Sequence, residues 1–266
     1  MTSAGLTEEQ KRFYDENGYI VCRGLLPADE AKALRREAHD LADRLVQFRN
    51  INAAWATIQH TKTVVQHCHD VQFYSAMFSR LIVDPRFTAV AASIIGPNVQ
   101  LHHTKMFIKP PEKGAPFPMH QDYPYFPHQR NTMIAAIFHF DDAPVERGCV
   151  RFVPGSHKLG PIVVSTPDSS LPPEQYPIEK ALPCPARAGD VVFFNYLTIH
   201  GSGINASAEA RTTLLVQMRD PTDPPFRRTH ESRGQGMMLA GIDPSCCTTK
   251  ALEPSGEVPA IAAGKM

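Results

Sequence analysis

The sequence predicts an α+β, mainly β chain, with a jelly-roll or β-sandwich core and helices packed on one face. Helical patterning is confined to about the first 95 of the 266 residues. Short strand-like runs, separated by turns rich in Pro, Gly, Asp and Asn, then follow to about residue 220. A chain of this length can bury one sizeable apolar core without disulfides or structural metals. The expected organisation is a single domain over 1–266: a helical part of about 1–95, a core of about 96–220 and a C-terminal extension of about 221–266.

Residues 6–17 read as a short helix entered at Thr7, with Glu8 and Glu9 in its first turn and Gly18 ending it. Tyr19-Ile20-Val21 is a short β run. Pro27-Ala28-Asp29-Glu30 opens a long amphipathic helix that reaches about Gln47. A second helical region covers roughly 71–93, interrupted at Pro85, and Gly96-Pro97-Asn98 turns the chain. Strands are expected at 99–108, 133–140, 149–153, 190–194 and 211–218. The proline-rich stretch 166–188 reads as a long surface loop of the kind that forms lids or binding loops, and the last fifteen or so residues as a loosely held tail.

With 27 basic and 27 acidic residues the formal net charge is zero, so no nucleic-acid partner is expected. No window reaches the roughly 18 apolar residues of a membrane span, and no apolar signal core opens the chain. A small-molecule substrate is the expected partner, and no obligate protein partner is evident. The six cysteines lack CxxC spacing and read as free thiols, which points to a cytoplasmic, reducing compartment. The adjacent Cys246 and Cys247 leave a redox or metal role open as the lesser reading.

The chemistry centres on Met119-His120-Gln121-Asp122. Residues two apart on a strand share a face, so an imidazole and a carboxylate would project together into a barrel interior. That donor set suits a borderline divalent metal such as iron(II). A third ligand is available at His200, expected at the end of the strand 191–194. Arg211 opens the following strand. As an antiparallel neighbour it would bring a planar guanidinium, suited to gripping a carboxylate through two parallel hydrogen bonds, into the same interior. The plainer readings are a scattered set drawn from twelve histidines and a surface salt bridge for Arg211. His157 reads as a turn residue. Alternation sends His102 and His103 to opposite faces, and nothing supplies further ligands to His67-Cys68-His69.

These motifs, taken in order, resemble the phytanoyl-CoA dioxygenase family of iron(II)- and 2-oxoglutarate-dependent oxygenases. The resemblance runs from Asn17-Gly18-Tyr19-Ile20-Val21 to the Arg211 strand. It is most specific in Lys109-Pro110-Pro111, His120-Gln121-Asp122, Tyr125-Phe126-Pro127, Arg147-Gly148-Cys149, Val153-Pro154-Gly155-Ser156-His157 and Gly189-Asp190. It implies a double-stranded β-helix of the jelly-roll, cupin-like type with flanking N-terminal helices. It further implies Fe(2+), 2-oxoglutarate and O2 as cofactor and co-substrates. His120, Asp122 and His200 would bind iron, and Arg211, helped by Ser202, would hold the distal carboxylate of 2-oxoglutarate. Lys105, Phe138 and Lys62 fall where co-substrate contacts are found, while Gln121, Tyr123, Tyr125 and Phe126 would face the active-site mouth. Relatives that halogenate carry a small residue in place of Asp122, so hydroxylation with release of succinate and CO2 is the implied outcome.

Desaturation, epoxidation and ring closure remain open on the same site. Two other classes also stay in view: a metal-binding jelly roll without turnover, and a zinc hydrolase using the same three ligands. Neither gives Arg211 a role. The segment 219–243, with Arg227-Arg228 and Met237-Met238, is expected to shape substrate choice together with the proline-rich loop.

Overall fold

Thr7 opens the first helix through a reciprocal cap. Its hydroxyl accepts from the N–H of Gln10, and the Gln10 side chain accepts from the N–H of Thr7. In the computed structural model, which describes residues 5–47, 66–112, 116–163, 169–227 and 231–244, this helix is α1 (Glu8–Asn17). Gly18 ends it in the left-handed region (φ 77°), and strand β1 (Tyr19–Cys22) follows at once. Helix α2 (Ala28–Gln47) buries Ala31, Leu34, Ala38, Leu41, Ala42 and Leu45, the spacing of one amphipathic stripe. After β2 (Gln66–His69), Ser75 caps α3 (Ala76–Ile82) and Asp84 caps α4 (Pro85–Ile95). Pro85 sits in the first turn of α4, where its missing N–H costs no helical bond, so the interruption is the start of a new helix.

The remaining strands are β3 (Val99–Lys109), β4 (Phe117–His120), β5 (Ile134–His139), β6 (Val150–Phe152), β7 (Leu182–Cys184), β8 (Val191–Asn195), β9 (His200–Ser202), β10 (Arg211–Arg219) and β11 (Met238–Ala240). They build an antiparallel jelly roll of two sheets. The major sheet runs β1-β8-β5-β10-β3-β11, with β2 also pairing β3; the minor sheet runs β4-β9-β6-β7. Alternation sorts the side chains of the major sheet. Leu214, Val216 and Met218 of β10 pack with Ile134, Ala136 and Phe138 of β5 in the core shared with α2, α3 and α4. Arg211, Thr213, Leu215 and Gln217 line the cavity on the other face.

Two expectations change. The stretch 166–188 is more than a surface loop: β7 forms an edge of the minor sheet, and Leu171 and Ala181 are buried with Met119 and Ile199. Pro183 masks this strand, since proline cannot serve a central ladder but is tolerated at an edge. Nor are the strands carrying His200 and Arg211 antiparallel neighbours. β8 stops at Asn195, the chain crosses to the minor sheet, and His200 opens β9, which pairs with β4 and β6. β10 lies between β3 and β5 in the major sheet. Arg211 therefore reaches the interior from the opposite sheet.

Candidate active site

His120 ends β4 and His200 begins β9; they stand opposite one another in the ladder, with ring centroids 4.3 Å apart. Strand alternation does not bring Asp122 to them, contrary to expectation. The chain leaves β4 after His120, and Asp122 takes a right-handed helical conformation (φ −76°, ψ −22°) ahead of a short 3-10 turn. Its N–H donates to the carbonyl of Tyr196 at 2.9 Å, which fixes the turn. The carboxylate swings round so that Oδ1 lies 3.5 Å from Nε2 of His120 and 3.7 Å from Nε2 of His200. One ligand atom from each residue lies within 4.8 Å of the others.

The donor chemistry fits a divalent cation. Nδ1 of His120 lies 2.7 Å from the Pro118 carbonyl, and Nδ1 of His200 lies 2.9 Å from the Thr198 carbonyl. Each carbonyl calls for a proton on Nδ1, which leaves the Nε2 lone pair facing the carboxylate. Burial, and then the neighbouring His120 ring, push His200 down to about 4, so it is neutral at pH 7. Burial alone would raise the carboxyl of Asp122. His200, His120 and the amide of Gln217 outweigh it and hold the group below the usual carboxylate range. Two imidazoles and a carboxylate, with their Nε2 and Oδ1 atoms turned toward one another, are an arrangement that a cation satisfies.

The three residues border a cavity of about 290 Å³ that also reaches Arg211. Arg211 is 4% exposed and donates from Nη1 to the carbonyl of Gly148. Its Nε is buried without a partner among the described residues. Burial lowers its pKa to about 10, which leaves it charged at pH 7. A buried guanidinium with spare donors is costly unless an anion meets it, so the surface salt bridge is not its role. Ser202 lines the same cavity from the minor sheet.

The family model described as "Phytanoyl-CoA dioxygenase (PhyH)" matches residues 14–213. The chain belongs to the phytanoyl-CoA dioxygenase family. It is 27% identical over 237 residues to human peroxisomal phytanoyl-CoA dioxygenase, covering 79% of this chain and 67% of that one. Among solved structures, the non-heme alpha-ketoglutarate-dependent epimerase SnoN from nogalamycin biosynthesis superposes with a TM-score of 0.69 at 30% identity. That match covers 84% of this chain and 86% of the other. A second structure of the epimerase, in complex with Fe3+, alpha-ketoglutarate and nogalamycin RO, gives 0.69 at 27% identity and covers 89% and 96% of the two chains.

The other expected residues of this phytanoyl-CoA dioxygenase-family site divide. Lys105, Tyr125 and Phe126 line the cavity. The Lys105 ammonium lies 5.1 Å from the Phe107 ring centroid, and burial lowers its pKa to about 8. Phe138 does not belong to the site: it points to the helix-covered face, with its ring 4.8 Å from that of Phe87, while its neighbour Ile137 faces the cavity. Gln121 is 1% exposed and works on the backbone. Nε2 donates to the carbonyls of Gly160 and Leu197, and Oε1 accepts from the N–H of Ile162. Tyr123 packs on Tyr196 at 5.6 Å, away from the cavity lining. Lys62, Cys246 and Cys247 lie outside the described residues.

Three further histidine readings are settled by the fold. His157 sits in a short 3-10 turn with Nε2 3.2 Å from the Asp15 carbonyl, as a turn residue should. His102 and His103 do not part onto opposite faces. The register slips opposite Gln217 and Met218, leaving the two rings side by side with Nδ1 atoms 2.8 Å apart. His69 reaches the cavity because β2 pairs with β3, placing it opposite Lys105. None of the described residues of 219–243 lines the cavity; β11 pairs instead with the start of β3. Gln217 and Ile137 escape the sequence reading, which weighs His69 and His103 only as metal ligands and not as cavity-lining residues. For Gln217 a signal existed, since it stands at even spacing from Arg211 on one strand.

Proposed function

We propose that this chain is an iron(II)- and 2-oxoglutarate-dependent dioxygenase that hydroxylates a C–H bond of a small organic substrate, releasing succinate and CO2. The observation that carries the reading is Arg211: a buried cation with an unpartnered Nε, in the same cavity as a His/Asp/His set of converging acceptors. His120, Asp122 and His200 would hold iron(II) at the edge of the cavity they border. Arg211 would grip the distal carboxylate of 2-oxoglutarate with its planar fork, and Ser202 would add a hydroxyl. Lys105 is proposed as a further co-substrate contact, and Lys62 as another. Tyr125 and Phe126 would border the substrate.

Bound together, iron(II) and 2-oxoglutarate supply the oxidation: one atom of O2 enters succinate and the other the substrate, as 2-oxoglutarate loses CO2. The protein's share is placement and exclusion of water. The inner aromatic residues Phe107, Phe117 and Phe194 wall the cavity, and the Pro118 and Thr198 carbonyls keep both imidazoles turned to the carboxylate. The named epimerase among the relatives shows that this architecture serves more than hydroxylation; substrate pose would decide the outcome. A zinc hydrolase or a binding module leaves Arg211 unexplained. Among the described residues no helix is long and apolar enough to cross a membrane, and Cys22, Cys68, Cys149 and Cys184 are buried free thiols. The thiols support a reducing, cytoplasmic setting.

The test is an anaerobic titration of the metal-free protein with iron(II) and then 2-oxoglutarate, following the weak visible charge-transfer band of the chelate. The expected result is a band in the wild type that Asp122→Ala and Arg211→Ala both abolish at the same concentrations. Iron binding with no band in the wild type would overturn the oxygenase reading.

A further inference from the structure

Lys109 closes β3 directly opposite Arg211 in the ladder. Its side chain is fully buried, and a lysine in such a place needs a reason. Nζ donates to Oγ of Ser202 at 2.7 Å and to the carbonyl of Gly203 at 3.0 Å, and lies 4.7 Å from the centre of the Phe117 ring. Among the described residues no carboxylate pairs with it. Burial, and then the nearby Arg211, push its pKa well below the ordinary lysine value. Two basic side chains thus sit in register, both buried and both without a carboxylate partner among the described residues, and Ser202, which lines the cavity with Arg211, accepts from one of them.

The bond to Ser202 has a directional consequence. A hydroxyl that accepts from an amine has its own proton left to donate elsewhere. Lys109 is not part of the cavity lining, whereas Ser202 is. We propose that Lys109 is a positioning residue for the co-substrate's distal carboxylate, orienting the Ser202 hydroxyl as a donor toward it. This rests on the 2-oxoglutarate reading given above. It makes the end of the cavity selective for a dicarboxylic 2-oxo acid through three groups, Arg211, Ser202 and Lys109, of which only two touch the ligand.

A purely structural lysine, tying β3 to the loop after β9, would act differently, and the two roles separate in binding. The iron(II)-loaded protein is titrated anaerobically by calorimetry with 2-oxoglutarate and with 2-oxopentanoate, which has the same chain length and no distal carboxylate. Lys109→Met is expected to weaken 2-oxoglutarate by about tenfold or more, the scale of a lost charge-assisted contact, and to leave 2-oxopentanoate within about twofold of wild type. Lys109→Gln keeps a donor for Ser202 on a shorter side chain. It is expected to show a smaller loss confined to 2-oxoglutarate, and it carries the test if the Met variant does not fold. Equal weakening of both acids, or no change in either, overturns the positioning role while leaving the co-substrate reading intact. Failure of wild type to bind 2-oxoglutarate overturns both.

Discussion

Gln217 donates from Nε2 to Oδ2 of Asp122 at 2.6 Å and is 1% exposed. With Oδ2 held, the other oxygen is the one turned to the two imidazoles. Supports of this kind set the aim of a metal ligand, and their loss costs about 10–100-fold in metal affinity. Gln217→Leu removes the donor at similar size. It is expected to weaken iron(II) binding on that scale, measured anaerobically by competition with a chromophoric chelator. Wild-type affinity in the variant would show that the turn after His120 alone aims the carboxylate. The residue scale is also where the sequence reading was strongest and weakest. The ligand types and Arg211 stood out because iron and a dicarboxylate have specific requirements. The Gln121 bonds to three backbone groups did not, because they join segments that only the folded chain brings together.

At the scale of elements, β5 shows how a single-residue shift changes a role. Ile134, Ala136 and Phe138 pack in the core shared with the helices, while Ile137 turns to the cavity. Phe138→Ala is therefore expected to cost about 3–5 kcal/mol of stability, as for a buried aromatic in a core. Its affinity for 2-oxoglutarate, measured well below the melting temperature, should be unchanged. A selective loss of co-substrate affinity with a wild-type melting curve would put Phe138 back in the site. Elements with local causes were legible before the fold was known: the Thr7–Gln10 cap, the start of α4 at Pro85, the alternation of β10. What stayed hidden depends on pairing across the chain. The slip of register that brings His102 beside His103 is set by β10, and the placement of β9 in the minor sheet is set by β4 and β6. The helical turn that carries Asp122 to the rings is held by the carbonyl of Tyr196, far along the sequence.

At the scale of the whole molecule, Asp190 joins the N-terminal segment to the jelly roll. Oδ1 accepts from the N–H of Gly24 at 2.8 Å; Oδ2 accepts from Nη1 of Arg23 at 2.7 Å and from the N–H of Arg187 at 2.9 Å. Next to it, Gly189 has φ 94°, and a Cβ there would meet the carbonyl of Leu26 at 2.4 Å, so the two segments can approach this closely only at glycine. Burial alone would raise the Asp190 carboxyl, but the N–H groups of Arg187 and Gly24 and the Arg23 guanidinium outweigh it, and the group sits below its ordinary value. A carboxyl lowered by folding stabilises the folded state above its unfolded pKa of about 3.9, and that contribution is lost as pH falls through the lower folded value. Asp190→Asn should therefore lower stability at pH 7 by about 1–3 kcal/mol, the cost of buried donors left poorly met. The gap between variant and wild type should narrow as the pH is taken from about 5 to about 3. Strands from the first 70 residues and from beyond residue 220 pair into one sheet with the core, so the loss should appear as a shift of a single thermal transition. A gap that stays constant to pH 3, or an early separate transition of the N-terminal segment, would show that Asp190 does not hold these parts together.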